Sequence, residues 1–148
     1  GATRGALYHH FADKTDLYRA VAEAEAKAIG QHIDEATQGI LDPEQGLILG
    51  THAYFDAMSV PGRAKIVLAD APAVLGFSAA IALTRPAGSE ELKDGLRRAM
   101  PELSAPDLDA LTMVLSAAFD RAALEISEGQ DRAPYITALM TLIGKTMA

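Results

Sequence analysis

Apolar side chains recur at every third or fourth position along most of this 148-residue chain, and prolines and glycines interrupt the pattern. This spacing places apolar residues on one face of an α-helix. No stretch shows the sustained alternation of β-branched and polar residues that is typical of a half-buried strand. The sequence therefore predicts an all-α fold, and a chain of this length can bury one hydrophobic core.

The breaks divide the chain into helices. The first long helix begins at Lys14, with Asp13 as its N-cap, and ends near Ala36 or Gln38. The second begins at Asp42-Pro43 and continues to Val60. A short helix is expected over 62–68. Pro72 is expected to open a further helix through residue 83, which is apolar nearly all round and should therefore be buried.

Three more helices complete the predicted body. Ser89 is expected to cap a helix over 90–100, and two strong helices over 106–128 and 132–146 close the chain. Short connections between long helices favour antiparallel neighbours.

Composition excludes several classes of protein. Hydrophobic residues make up 49% and charged residues 22% of the chain, which is a soluble globular balance, and there is no cysteine. The missing thiols exclude a disulfide scaffold, thiolate metal sites and cysteine catalysis. Charged residues interrupt every apolar run before the length of a membrane helix, so we expect a cytoplasmic protein without membrane contact. The start lacks a signal peptide and an initiator Met, so we expect the chain to begin inside a longer protein.

Charge is unevenly distributed. The net charge of -7 argues against nucleic-acid binding for the chain as a whole. Residues 1–22, however, carry a net charge of +1 and two histidines, whereas residues 23–148 carry -8. This asymmetry suggests a small head that can approach an anion and a larger acidic body.

The first eleven residues combine hydrogen-bonding side chains with an apolar anchor. Leu7 and Phe11 are four residues apart and share one face of a short helix, while Gly5 and Ala6 permit close approach of the backbone. The donors are Thr3, Arg4, Tyr8, His9 and His10. A short helix of this kind suits insertion into a DNA major groove, and Lys14 lies where a phosphate can bind.

The segment over 4–11, Arg-Gly-Ala-Leu-Tyr-His-His-Phe, followed by Asp13-Lys14, Leu17 and Val21, resembles the recognition helix and following helix of TetR-family transcriptional repressors. The segment over 70–77 also resembles one branch of that family. The resemblance implies a TetR-like fold, with the remnant of a helix-turn-helix head over 1–22 and a helical ligand-binding and dimerisation body over 23–148. The two head helices that precede the recognition helix in the family are not in this chain.

The resemblance implies a ligand-responsive DNA-binding regulator. We expect a homodimeric repressor that a small hydrophobic effector releases from a double-stranded DNA operator. The residues that fall on DNA-contacting positions of the family are Thr3, Arg4, Gly5, Tyr8, His9, His10 and Lys14.

A repressor body must hold an effector where it can tilt the head. We place the effector among the inner faces of the helices that begin at Lys14, Pro43, Pro72 and Pro106, in a largely apolar pocket. The candidate wall residues are Ile29, Ile33, His52, Tyr54, Phe55, Met58, Phe77, Ile81, Met113 and Phe119. An ordinary core without a cavity is the alternative for these residues.

The last two helices are expected to form a four-helix bundle with a second copy. Small residues permit close approach and larger ones supply apolar area. The residues assigned to this interface are Leu111, Leu115, Ala117, Ala118, Ala122, Ala123, Leu139, Met140 and Ile143.

Other interpretations remain open at this stage. The main alternative is a helical dimerising interaction protein that does not bind DNA, which the net charge favours. Asp120, Arg121 and Glu125 form either a buried polar cluster or a solvated Arg121–Glu125 pair. His52 is expected to be a core histidine. No spacing typical of a metal, cofactor or catalytic site occurs, so we expect no enzyme, metal or cofactor.

Overall fold

A computed structural model of the chain describes residues 13–148, which contain helices and no strand. Helix α1 spans Lys14–Thr37 and α2 spans Pro43–Met58. A π-helical segment, Lys65–Asp70, runs directly into the short α3, Ala71–Leu75. The remaining helices are α4 (Phe77–Thr84), α5 (Ser89–Ala99), α6 (Ala105–Ser127) and α7 (Arg132–Met147). The predicted all-α class is confirmed.

Four helices begin at a side chain that caps the backbone. In each case a carboxylate or hydroxyl oxygen accepts a hydrogen bond from an amide of the first turn, which otherwise has no helical partner. The caps of α1, α2, α6 and α7 are Asp13, Asp42, Ser104 and Asp131. These local signals explain why the predicted starts of the long helices are confirmed.

The main core lies where α1, α2, α5 and α6 pack together, with α7 against its outer side. Ile29 of α1 and Leu96 of α5 are completely buried in it. The first half of α1 packs instead on the π-helical segment, α3 and α4, through a small cluster built on Ala22, Ala71 and Ala80. Helix α1 therefore contacts both clusters, and it is continuous between them.

The region around Pro72 differs from the prediction. Pro72 lies inside a helix, where a proline removes a backbone donor and crowds the carbonyl four residues earlier. A π-helical turn precedes it, and the Ala71 amide bonds the Ile66 carbonyl five residues back. The helix ends at Gly76, whose φ of 87° is in the region that favours glycine. The predicted boundaries at residue 68 and Pro72 are therefore wrong.

Burial of this region was also predicted wrongly. Helix α4 packs through Ala80 and Leu83 on one side only, so its other side faces solvent. Phe77 is 74% exposed, and Val74 and Ile81 are exposed as well. An apolar composition predicts burial only where neighbours cover every face of the helix, and here they do not.

The start of α5 is a further correction. Gly88, with a φ of 115°, occupies the cap position, and Ser89 is the first helical residue. The Ser89 hydroxyl is 3.1 Å from the Ser116 hydroxyl and caps nothing. Within residues 13–148, no helix is long and apolar enough to cross a membrane.

Candidate functional site

Two side chains of different helices form a direct hydrogen bond within the main core. The Tyr54 hydroxyl of α2 donates to Oδ1 of Asp120 on α6 at 2.7 Å, across 66 residues of sequence. Tyr54 is buried, and Asp120 is half-buried. The two side chains meet because each lies on the inward side of its helix. Tyr54 shares the inner face of α2 with Thr51 and Leu47, and Asp120 is next in sequence to the buried Phe119 of α6.

The ring of Tyr54 packs with two further aromatic rings beside this hydrogen bond. Tyr54 meets the rings of Phe55 and Phe119 edge to face, with centroids 5.3 and 5.4 Å apart. The Phe55 and Phe119 centroids are 5.9 Å apart. Such pairs stabilise a core by about 0.5–1.5 kcal/mol each beyond their buried area. The contacts with the two phenylalanine rings therefore fix the position of the tyrosine ring.

Burial changes the acidity of both partners. Loss of hydration raises the pKa of the Tyr54 hydroxyl well above its ordinary value, and the Asp120 charge raises it further. Loss of hydration also raises the pKa of Asp120, although the hydrogen bond from Tyr54 opposes that effect. Within residues 13–148, no basic side chain forms an ion pair with Asp120. The carboxylate is therefore balanced by a hydrogen bond and not by a positive charge.

The turn before α5 lies against the same tyrosine. A Cβ on Gly88 would be 3.4 Å from the Tyr54 ring and 2.9 Å from Ile33 of α1, so only glycine allows this close approach. The next residue, Ser89, is paired with Ser116 on α6, one turn before Asp120. The Ser89–Ser116 and Tyr54–Asp120 pairs therefore lie one helical turn apart along α6.

The structure brings together six of the ten predicted pocket residues. They share the main core, and all are buried: Ile29, Ile33, Tyr54, Phe55, Met58 and Phe119. Asp120, which the prediction did not include, belongs with them. Its side chain points inward, while its neighbour Arg121 forms the ion pair with Glu125 on the surface. The signal for Asp120 in the sequence is an acid within the apolar stripe of a helix.

Four predicted wall residues lie at the surface instead. Phe77, Ile81 and Met113 are exposed, and Met113 is 67% exposed. His52 is exposed too, so its assignment as a core histidine is wrong; its backbone carbonyl accepts a hydrogen bond from Arg132. These four residues are exposed because each lies on the outer face of a helix whose opposite face is buried.

Two surface depressions lie outside the aromatic core. A cleft of about 480 Å³ is lined by charged residues of α1 and α5: Asp34, Glu90, Glu91, Lys93, Asp94 and Arg97. A groove of about 140 Å³ lies between α2 and α7. None of the ten predicted wall residues lines either one. The described part of the chain also holds no group of three or more histidine or acidic side chains arranged to bind a metal.

Two polar contacts attach α1 to the segment that follows α2. The Tyr18 hydroxyl donates to the Ile66 carbonyl of the π-helical segment at 3.1 Å. One turn past α2, Arg63 forms an ion pair with Glu25 and donates to the Ala57 carbonyl at 2.8 Å. Because Tyr18 and Glu25 are seven residues apart, both contacts are on one face of α1.

Of the predicted DNA-contacting residues, the structure describes only Lys14. It is exposed at the first position of α1, directly after the capping Asp13. The residues that lie outside the described part are Thr3, Arg4, Gly5, Tyr8, His9 and His10.

The predicted dimer face requires correction. Leu115, Leu139 and Ile143 are buried inside their own chain, as are Ala122 and Ala123, and so are not free to meet a second copy. The large apolar residues of these helices that are exposed are Met113, Val114 and Leu142, and Ala117 is the one predicted interface residue that is exposed among those described. Prediction from a helical pattern finds apolar residues but does not distinguish the face that packs within the chain.

Comparison with known proteins agrees with this architecture. No match to a curated protein was found. A family model described as "Tetracyclin repressor-like, C-terminal domain" matches residues 44–147, which is more than half of the chain. In that family this domain serves dimerisation and ligand binding. The match begins in α2 and ends in α7, so it spans the aromatic core and the two closing helices. The chain belongs to the TetR-like transcriptional regulators.

Proposed function

We propose that the chain is the effector-binding body and connecting helix of a ligand-responsive repressor, with its effector bound at the aromatic core. The observation that carries this proposal is the Tyr54–Asp120 hydrogen bond inside that core. An apolar site with few polar groups is the usual composition of a small-molecule pocket. A half-buried carboxyl whose pKa is raised is also more frequent at functional sites than elsewhere.

The proposed division places the end of the DNA-binding head over 1–22 and the body over 23–148. Helix α1 crosses this boundary without interruption, and its second half packs in the aromatic core through Ile29 and Ile33. At 1.5 Å per residue a 24-residue helix is about 36 Å long. A displacement at the core therefore reaches the head through a rigid element.

Effector entry requires a rearrangement of this core. Tyr54, Phe55 and Phe119 fill the space between α2 and α6 by direct ring contact. We propose that the effector separates these rings and displaces α1, whose contacts with Ile66 and Arg63 carry the movement to its first half. A tenfold preference of the effector for the displaced state corresponds to about 1.4 kcal/mol.

The proposed DNA contacts come from the N-terminal residues. Arg4 and Tyr8 would read base edges, and the exposed Lys14 at the start of α1 would contact a phosphate. The other proposed contacts are Thr3, Gly5, His9 and His10. The protein would act as a cytoplasmic homodimer on a palindromic operator, without enzymatic activity.

The proposed dimer uses the exposed apolar faces of α6 and α7. Met113, Val114 and Leu142 are all at least half exposed in the single chain. Closing helices from two copies would cover them, and an obligate interface of this type buries about 2,000 Å² or more.

A second candidate is a dimerising interaction protein that does not bind DNA. The net charge of -7 and the exposed apolar residues Val74, Phe77 and Ile81 favour it. The two candidates differ in one measurable property, because only the repressor would bind an operator and be released from it by an effector.

The test is a DNA-release measurement on the protein expressed from the complete gene. Hydrophobic small molecules that raise the melting temperature of this chain are added to the protein–DNA complex. The proposal predicts that they dissociate the DNA, and that Phe119→Trp, which fills the core, abolishes both effects. Stabilising ligands that leave the DNA bound would contradict the proposal.

A further inference from the structure

Asp120 lies at the aromatic core, and no basic side chain among residues 13–148 pairs with its charge. Its Oδ1 accepts the Tyr54 hydrogen bond, and neither oxygen is within ion-pair distance of a basic group among residues 13–148. Half-buried carboxylates are normally paired, because a lost hydration shell is costly when nothing replaces it. The tyrosine hydroxyl supplies one hydrogen bond and no charge.

Two arginines, one next to Asp120 in sequence and one beside the Phe55 ring, already pair with other acids. Arg121, the next residue in the chain, pairs with Glu125 on the outer face of α6. Arg132 lies 6.0 Å from the centre of the Phe55 ring but pairs with Asp56 and donates to the His52 carbonyl. Neither guanidinium is therefore available to Asp120 without breaking an existing ion pair.

The surroundings of Asp120 favour a cation of a particular kind. Three aromatic rings pack within 6 Å of one another beside the carboxylate. Aromatic faces attract organic cations, and the attraction grows when water is excluded. A small, strongly hydrated ion would gain little there, whereas an alkyl or aryl ammonium would gain both the apolar contact and the charge pairing.

We infer that the effector is a hydrophobic organic cation, an alkyl or aryl ammonium, whose charged group pairs with Asp120 while its apolar part displaces the rings of Tyr54 and Phe119. This inference rests on the proposed effector site. The expected effector is therefore a hydrophobic cation and not a neutral hydrophobic molecule, because a neutral molecule would leave the Asp120 charge unbalanced.

Three probes with one skeleton test the inference: 4-phenylbutylamine, 4-phenylbutan-1-ol and 4-phenylbutyrate, which are a cation, a neutral molecule and an anion at pH 7. Binding to the 148-residue chain is measured by titration calorimetry. We expect the amine to bind at least tenfold more tightly than the alcohol, which is about 1.4 kcal/mol, and the anion to bind most weakly.

Two carboxamide variants separate the site from general electrostatics. Asp120→Asn should reduce the preference for the amine to within about twofold while leaving the affinity for the alcohol unchanged. Asp109→Asn removes the same charge from an exposed position on the same helix and should keep the preference. Acidification that protonates Asp120 should also abolish the preference, since the amine remains charged.

Equal binding of amine and alcohol, a preference that survives Asp120→Asn, or failure of all three probes to bind would overturn the inference. Equal binding that Phe119→Trp abolishes would reject the ion pair and retain the effector site. The proposed repressor function fails by a different measurement, namely core-binding ligands that do not change DNA affinity.

Discussion

Gly30 of α1 lies directly against the backbone carbonyl of Pro86, so that a Cβ at position 30 would be 2.2 Å from that oxygen. This contact places α1 on the turn that precedes α5, and the same turn presents Gly88 to the Tyr54 ring. The position of the connecting helix and that of the core tyrosine are therefore fixed by one short segment.

Gly30→Ala should destabilise the fold even though alanine is the better helix former. The new methyl group would have to push back a backbone carbonyl, and overpacking of this kind costs about 1–3 kcal/mol. The measurement is the free energy of unfolding in urea. Gly46→Ala on α2 is the matched control, because its Cβ meets only Ile40 at 4.0 Å; we expect it to stabilise by about 0.4–1 kcal/mol. Equal effects of the two substitutions would contradict this packing.

Asp120 should make stability depend on pH in a defined direction. Its pKa is raised in the folded state, chiefly by burial, so folding favours the protonated acid. That contribution is fully present below the unfolded value near 3.8 and is lost as the pH rises through the folded pKa. The unfolding free energy of the wild type should therefore fall relative to Asp120→Asn over the range from about pH 4 up to the folded pKa. A constant difference across that range would show that burial does not perturb Asp120.

The starts of the long helices were predictable from local signals, although the predicted Ser89 cap is wrong, and long-range relations were not predictable. The starts of α1, α2, α6 and α7 follow from oxygen-bearing caps within three residues of the amides that they bind. The Tyr54–Asp120 bond depends on the packing of two helices far apart in sequence. Periodicity also finds apolar residues without revealing which side is covered, and so Phe77 and Met113 were misplaced.

Arg63→Ala should loosen the first half of α1. The side chain of Arg63 is only 14% exposed, and it joins Glu25 to the Ala57 carbonyl. Its loss should cost about 1–2 kcal/mol and accelerate amide exchange in the first half of α1. Arg97→Ala removes an exposed ion pair with Asp94 and should change stability by less than about 0.5 kcal/mol. Unchanged exchange in α1 of the Arg63 variant would show that this contact does not hold the helix.

Val114→Glu should weaken the dimer. Val114 is 61% exposed on α6, and a carboxylate that a dimer interface buries loses its hydration. We expect the dimer dissociation constant to rise about 100-fold or more, measured by analytical ultracentrifugation. Leu41→Glu, at a loop residue that is 88% exposed, is the control and should leave the constant unchanged. A wild-type chain that is monomeric at micromolar concentration would contradict the dimer itself.

Selection of bound sequences from a random duplex library tests whether this protein is a dimeric DNA-binding regulator. The protein expressed from the complete gene is used, with Lys14→Ala as a variant that should weaken binding to every sequence alike. We expect enrichment of a palindrome whose half-sites lie about one helical turn, or a multiple of it, apart. A protein that enriches no sequence, or only sites without two-fold symmetry, would contradict the assignment as a dimeric DNA-binding regulator.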